Sequence, residues 1–174
     1  MIRIYTIRQE CPADYEDVYR LVRRSFATTV HSDGTEADYL NEVRRKETFI
    51  PELSLVAEDT EGRVVGQIVL YATEIATDSG SVASLVLSPI SVHPDYFRQG
   101  IARAMMNRAF ELARGMGYTA VFLCGEPEIY HGLGFRASYT FDIFHNDDPG
   151  AEWCMAKELV PHALAGVRGT IDIV

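Results

Sequence analysis

Cysteine is scarce in this chain. Cys11, Cys124 and Cys154 are odd in number, widely spaced and free of any Cys-x-x-Cys pair. That pattern excludes a disulfide framework and a zinc knuckle, and it makes a reducing cytoplasm the expected compartment. Long apolar runs are missing as well. No stretch approaches the roughly 20 apolar residues that a bilayer crossing needs, and no secretory signal is recognisable, so no membrane partner is expected. Positive charge is in deficit, with 16 Lys and Arg against 25 Asp and Glu and a formal net charge of −9. Nonspecific nucleic-acid binding needs clustered basic charge and is excluded on that ground, whereas a cationic amine substrate is compatible. Neither a Gly-x-x-x-x-Gly-Lys loop nor an opening Gly-x-Gly-x-x-Gly is present, which removes two common nucleotide-binding signatures. Linkers, repeats and low-complexity runs are absent too. Residues 1–174 are therefore expected to form one domain, long enough to bury a substantial core.

What is present is organised by hydrophobic period. Ile2 to Ile7 alternates and predicts a strand. Pro12 stands near the start of a helix whose stripe is Val18, Leu21, Val22 and Phe26. Thr28 to Thr35, with His31, Asp33 and Gly34, reads as a loop, and Glu36 to Lys46 as a helix with Tyr39, Leu40 and Val43 inward. Strands are predicted over Leu53–Glu58 and Arg63–Ile75, joined by a turn at Asp59–Gly62, and over Leu85–Val92 after a turn at Thr77–Ser81. From Arg98 to about Gly115, Ile101, Met105, Ala109, Leu112, Ala113 and Met116 recur at helical spacing. Thr119–Cys124 is a short apolar strand, and further strands are predicted around Thr140–Phe144 and Trp153–Lys157. This order predicts an α/β sheet in which a right-handed crossover makes Leu85–Val92 and Thr119–Cys124 a parallel pair. Pro89 lacks an N–H and cannot complete a regular ladder there; it marks a bulge, an edge, or a strand splayed from its neighbour.

The crossover carries the most informative residues, Phe97-Arg98-Gln99-Gly100-Ile101-Ala102-Arg103. A strand, a short loop with glycine and a helix N-terminus form an anion site, because the first-turn amides point outward and the helix dipole adds partial positive charge. Side chains larger than those of Gly100 and Ala102 would hold a phosphate away from the backbone, and Arg98 and Arg103 supply charge-assisted donors. The physical reading is a place to hold a phosphate or pyrophosphate.

A second cluster follows about thirty residues on, Glu126-Pro127-Glu128-Ile129-Tyr130-His131-Gly132-Leu133-Gly134-Phe135. Together the two clusters resemble the GNAT superfamily of acyl-CoA-dependent N-acetyltransferases. Gly100 and Ala102 match its Gln/Arg-x-x-Gly-x-Gly/Ala pyrophosphate loop, and Tyr130 with Gly134-Phe135 matches its tyrosine before a Gly-Phe pair. The resemblance extends over nearly the whole chain, including Phe49–Ala57, Val65-Gly66 and the tail Ala163–Thr170, and looks like a bacterial branch of mostly unassigned substrate.

The resemblance implies a mixed, mostly antiparallel sheet with a splayed central parallel strand pair and helices on both faces. It implies acetyl-CoA as acyl donor, with no metal, and a primary amine of a small molecule or protein as acceptor. The amine would attack directly, through a tetrahedral intermediate. Ile90, Ser91 and Val92 would bond the pantetheine arm as an added strand, and Phe97 to Arg103 would hold the pyrophosphate. Tyr130, with an ordinary pKa of about 10, would protonate the departing thiolate. Glu126 is the first candidate for general base, with Glu74 and His31 as others. Cys124 reads as a strand-end cysteine, His131 as a surface residue and Phe135 as core. The acceptor would border Thr28–Asp38, the Tyr130 region and Gly166–Thr170, and related proteins are often homodimers. Two positions depart from the family pattern. Phe97 stands where Gln or Arg is usual, and Leu123-Cys124-Gly125-Glu126 replaces an asparagine found in many relatives. The first departure raises an alternative from another class, a catalytically degenerate GNAT-fold module with a CoA-binding or protein-interaction role.

Overall fold

A computed structural model of the chain describes residues 5–27 and 34–174. In chain order the elements begin with strand β1 (Tyr5–Gln9), helices α1 (Tyr15–Phe26) and α2 (Glu36–Arg45), and strands β2 (Phe49–Asp59), β3 (Val64–Thr77) and β4 (Gly80–Val92). Helix α3 (Ile101–Gly115), strand β5 (Ala120–Cys124) and the short helix α4 (Pro127–Tyr130) follow. Strands β6 (Arg136–Ala137), β7 (Ile143–His145), β8 (Cys154–Glu158) and β9 (Gly169–Ile171) complete the order. The fold is mixed α/β, mostly antiparallel, with β4 and β5 as a parallel pair. Two compact units are formed, Met1–Tyr71 with Ser88–Leu112, and Ala72–Leu87 with Ala113–Val174.

In the first unit β1, β2 and β3 make antiparallel ladders, with Ile7 opposite Ala57 and Ala57 opposite Gly66. The end of β4 lies beside β3, where His93 N donates to Val65 O at 2.8 Å. Helices cover both faces of this sheet. A Cβ at Gly66 would stand 3.0 Å from Met105 Cε and 3.2 Å from Ile101 Cγ2, so α3 packs on the Gly66 face. Tyr71 lies an odd number of residues further along β3 and points the other way, where its hydroxyl hydrogen-bonds Tyr39 of α2. Helix α1 buries Val18, Leu21 and Val22, and α2 buries Ala37, Leu40 and Val43. Two ion pairs tie these helices to β1. The Arg8 guanidinium bonds both oxygens of Asp14 at 2.8 Å, and Cys11 N donates to the same carboxylate at 2.8 Å. Arg44 of α2 pairs with buried Glu10, which also accepts from Ser54 Oγ, and its guanidinium lies 4.1 Å from the Tyr15 ring centroid.

In the second unit the crossover delivers the parallel pair, with Leu85 opposite Val121 and Val86 opposite Phe122. Strand β5 pairs along its whole length with antiparallel β8, and β6 adds to β8. Strand β9 pairs antiparallel with β3 and parallel with β7. Leu85, Phe122, Leu123, Phe135, Ile143 and Met155 form the buried interior.

Several elements differ from their sequence readings for identifiable reasons. Strand β2 starts at Phe49, earlier than Leu53. Met116 continues the helical spacing of the apolar residues but is 47% exposed, because the helix ends at Gly115 and Gly117 takes φ +93°. Thr140–Phe144 is not one strand: Asp142 at φ 64° separates a 3-10 turn, Ser138–Phe141, from β7. Phe26, the last residue of α1, and Tyr39 are half-buried. The start of the opening strand, and His31 and Asp33, lie outside the described residues.

The Arg8 guanidinium holds the Asp14 carboxyl well below the usual carboxylate range. Replacing Asp14 with Ala removes the acceptor of three donors, and the expected loss is about 1–3 kcal/mol in urea unfolding. A depressed folded-state pKa contributes stability that is complete above the unfolded value of about 3.9 and declines as pH falls below it. The stability gap between wild type and D14A should therefore be largest at neutral pH and narrow steadily below about pH 4.

Candidate active site

In the first unit the approach to α3 is a constrained turn. Pro94–Tyr96 form a 3-10 turn, Phe97 is extended, and Arg98 and Gly100 take positive φ values of 62° and 81°. Left-handed conformations cannot continue a right-handed helix, so α3 starts at Ile101 rather than at Arg98. Glycine adopts this conformation freely, whereas Arg98 incurs about 1–2 kcal/mol. The turn is anchored on both sides. Tyr96 OH donates to Asp59 Oδ2 at 3.1 Å, and the Ile101 side chain is buried. Asp59 in turn accepts from the Glu61 and Arg63 amides at 2.9 Å and from Arg63 Nε at 2.8 Å. These bonds, the Arg63 amide foremost, hold the Asp59 carboxyl down at about 2.

What this turn presents suits an anion. Phe97, Arg98, Gln99 and Gly100 are exposed, and a Cβ at Gly100 would meet no heavy atom within 4 Å. Open space therefore lies in front of the loop, where the first-turn amides of α3 have no acceptor within the helix. Ala102 is half-buried, and Arg98 and Arg103 are exposed charges flanking the turn. Gln99 is folded back, its Nε2 lying 3.5 Å from Asp95 O. These residues fit the diphosphate of a coenzyme A. Just upstream, Ser91 is buried and accepts from Gln67 Nε2 at 3.1 Å, while Ile90 and Val92 are half-buried. The strand end that leads into the loop is thus fixed from within by Gln67.

In the second unit β5 ends at Cys124, and Glu126 is the N-cap of α4, with Tyr130 at that helix's last position. Tyr130 N donates to Glu126 O at 3.2 Å, so both residues belong to one turn. The ring of Tyr130 lies directly on Gly125: a Cβ there would stand 2.5 Å from Tyr130 Cε2. Phe135, fully buried, meets the same ring edge-on at 5.8 Å between centroids. Burial pushes the Tyr130 phenol above its ordinary pKa, and the nearby Glu126 charge adds to the shift. At neutral pH the phenol is therefore a proton donor.

The two readings of the sequence are thus each brought into register, Ile90–Val92 with Phe97–Arg103 in one unit and Glu126 with Tyr130 in the other. Glu74 is an exposed residue of β3, and His131 is exposed. Two supporting residues escaped the sequence reading. Asp59 was read only as a turn residue, although its carboxylate also braces Tyr96. Lys157 donates from Nζ to Leu133 O at 2.9 Å and lies over Gly134, which takes φ +92°. A lysine directly after the apolar stretch Cys154–Ala156 of β8 was the available signal.

A mostly antiparallel sheet, entered by a parallel crossover whose helix opens on a glycine loop, is the architecture of acetyltransferases that use coenzyme A. A family model described as Acetyltransferase (GNAT) domain matches residues 6–138, and the chain belongs to this family of acetyltransferases. The curated N-acetyltransferase YhbS of Escherichia coli strain K12, itself described as uncharacterized, is 30% identical over 167 residues, covering 95% of this chain and 94% of its own. The crystal structure of Escherichia coli YhbS in complex with CoA matches with a TM-score of 0.84 at 27% identity, covering 100% of this chain and 92% of that one. A GNAT family acetyltransferase from Brucella melitensis, in complex with acetyl-CoA, shares the fold with a TM-score of 0.77 at 22% identity, over 98% of this chain and 96% of its own. No helix among the described residues is long and apolar enough to cross a membrane, and no group of three or more His, Cys, Asp and Glu among them is placed to hold a metal ion.

The Gly125 contact is directly testable. Gly125→Ala forces the Tyr130 ring from its seat and should cost about 1–3 kcal/mol in urea unfolding. In a Tyr130→Ala background the same substitution should cost markedly less, and equal costs in both backgrounds would show that the ring is not what Gly125 accommodates.

Proposed function

We propose that this chain transfers an acetyl group from acetyl-CoA to a primary amine, of a small molecule or of a protein, by direct attack of the amine on the thioester, and that residues 1–174 act as one acyltransferase domain. The observation that carries this reading is the exposed turn at Phe97–Gly100, held open by positive φ at Arg98 and Gly100 ahead of the first turn of α3.

The amides of Gly100, Ile101, Ala102 and Arg103 bind the pyrophosphate, with the Arg98 and Arg103 side chains as charge-assisted donors. Backbone groups of Ile90, Ser91 and Val92 bond the pantetheine arm as an added strand. An N–H near Ile90 also polarises the acyl carbonyl. When bound, acetyl-CoA supplies an activated acetyl carbonyl; the chain supplies position and proton transfer. Tyr130 OH donates a proton to the sulfur as it leaves, and its raised pKa keeps it protonated for that task. Glu126, on the same turn, receives the proton of the acceptor amine, directly or through water. Proximity of amine and thioester contributes about 7–11 kcal/mol of rate acceleration in reactions of this kind.

Phe97 favours a second reading. It is 50% exposed at the loop position where the family pattern has Gln or Arg, an apolar surface suited to an interaction module that keeps the fold without turnover. Calorimetry with acetyl-CoA, using desulfo-CoA and ATP as controls, separates the readings at the first step. Saturable one-to-one binding of acetyl-CoA, much weaker for ATP, followed by thiol release with an amine, supports the enzyme; binding without turnover supports a CoA-binding module, and no binding up to about millimolar concentration supports a protein-interaction module.

Tyr130→Phe should keep acetyl-CoA affinity within about twofold and lower thiol release by about 10²- to 10⁴-fold. Unchanged turnover would remove Tyr130 from the mechanism. The alkaline limb due to this acid should lie above the ordinary tyrosine value of about 10, because the folded-state pKa is raised.

A further inference from the structure

The ladder between β5 and β8 places two free cysteines directly opposite each other, Cys124 and Cys154. Their kind of pairing follows from the hydrogen bonds at the two ends of the ladder. Gly125 N donates to Trp153 O at 2.9 Å, and Leu159 N donates to Thr119 O at 2.7 Å. Both bonds belong to hydrogen-bonded pairs, and such pairs alternate along an antiparallel ladder. With odd-numbered residues of β5 in the hydrogen-bonded positions, Cys124 and Cys154 form a non-hydrogen-bonded pair. Opposed Cα atoms in such a pair are about 4.5 Å apart and their side chains are the closer of the two kinds. That spacing lies inside the range of about 4.4–6.8 Å over which a disulfide closes. Both side chains leave the same face of the ladder, since directly opposed residues share a face.

We propose that Cys124 and Cys154 are an oxidisable pair, a thiol modification site that closes as an intramolecular disulfide between β5 and β8 under peroxide. The exposures assign an order. Cys124, half-buried at the strand end, meets the oxidant, and Cys154, fully buried, resolves it. Cys124 sulfur attacks one peroxide oxygen, the O–O bond breaks, and water leaves as the thiol proton is taken up, giving a sulfenic acid. Cys154 sulfur then attacks Cys124 Sγ, the S–O bond breaks, and the second water carries off the second thiol proton. Two thiols are oxidised by two electrons and one peroxide is reduced to two waters. Ser138 Oγ lies 3.3 Å from Cys154 Sγ as a donor and orients the resolving sulfur. Burial, with Cys154 beside it, pushes the Cys124 thiol up to about 12, so the first attack is slow at neutral pH and needs sustained exposure. The site stands one residue from Gly125, on which the Tyr130 ring rests, but its chemistry does not depend on acyl transfer.

The full-length Cys11→Ser protein, which leaves only this pair, is treated with hydrogen peroxide, denatured, alkylated and weighed. The expected product is monomeric, lacks alkylatable thiols, has lost about 2 Da, yields a cross-linked peptide joining Cys124 and Cys154, and is restored by dithiothreitol. With Cys154→Ser added, no bridge should form and Cys124 should be trapped by dimedone as its sulfenic acid. The proposal is overturned if both thiols still alkylate fully after exposure that oxidises Cys11 in the wild type, or if only dimers joined between chains appear.

Discussion

The backbone conformation at Arg98 and Gly100 decides where α3 begins, and with it what the crossover presents to solvent. An uninterrupted helix from Arg98 would satisfy its own amides from the next turn onward and would fill the space ahead of Ile101 with side chains. Left-handed φ at two positions ends that possibility and leaves a short exposed turn ahead of Ile101. Such a conformation at an arginine persists only when its surroundings over-determine it. Here Asp59 does so from one side, holding Tyr96 through a carboxylate already committed to its own turn, and the buried Ile101 side chain does so from the other. The charge that braces the loop is therefore one that stays ionised well below neutral pH.

In the second unit the governing constraint is an absent side chain. Tyr130 occupies the volume that any Cβ at Gly125 would take, so the phenol is seated against the end of β5 instead of swinging free on a four-residue helix. Phe135 meets the ring edge-on, and Lys157 reaches across from β8 to the carbonyl of Leu133. The same burial that fixes the ring disfavours its anion. Packing and proton-donor character are thus one effect seen twice.

Much of this was legible from residue order. The crossover from β4 through α3 to β5 follows from a strand, a helical stripe and a second apolar strand, and the buried positions Ile101, Met105, Ala109 and Ala113 follow from period alone. Gly100 and Tyr130 were recognisable as candidate site residues because glycine loops and Tyr-before-Gly-Phe patterns are local. The misreadings share a cause. Met116 and Thr140–Phe144 continue an apolar rhythm across a helix end that precedes Gly117 or across Asp142, both at positive φ, and hydrophobic period carries no information about φ. Asp59 and Lys157 could not be assigned their bracing roles because their partners, Tyr96 and Leu133, are distant in sequence.

The sequence by itself determined most element types, the parallel crossover, the family and the candidate residues for a helix-terminus anion site, because each depends on spacing within one or two turns or strands. Tertiary structure alone decided that Gly125 is a seat for Tyr130, that Asp59 braces the loop, and that Cys124 faces Cys154 in a non-hydrogen-bonded pair. These depend on ladder register and on contacts between chain segments far apart. A one-residue slip between β5 and β8 would move every pairing to the opposite face, and no local period reports that choice.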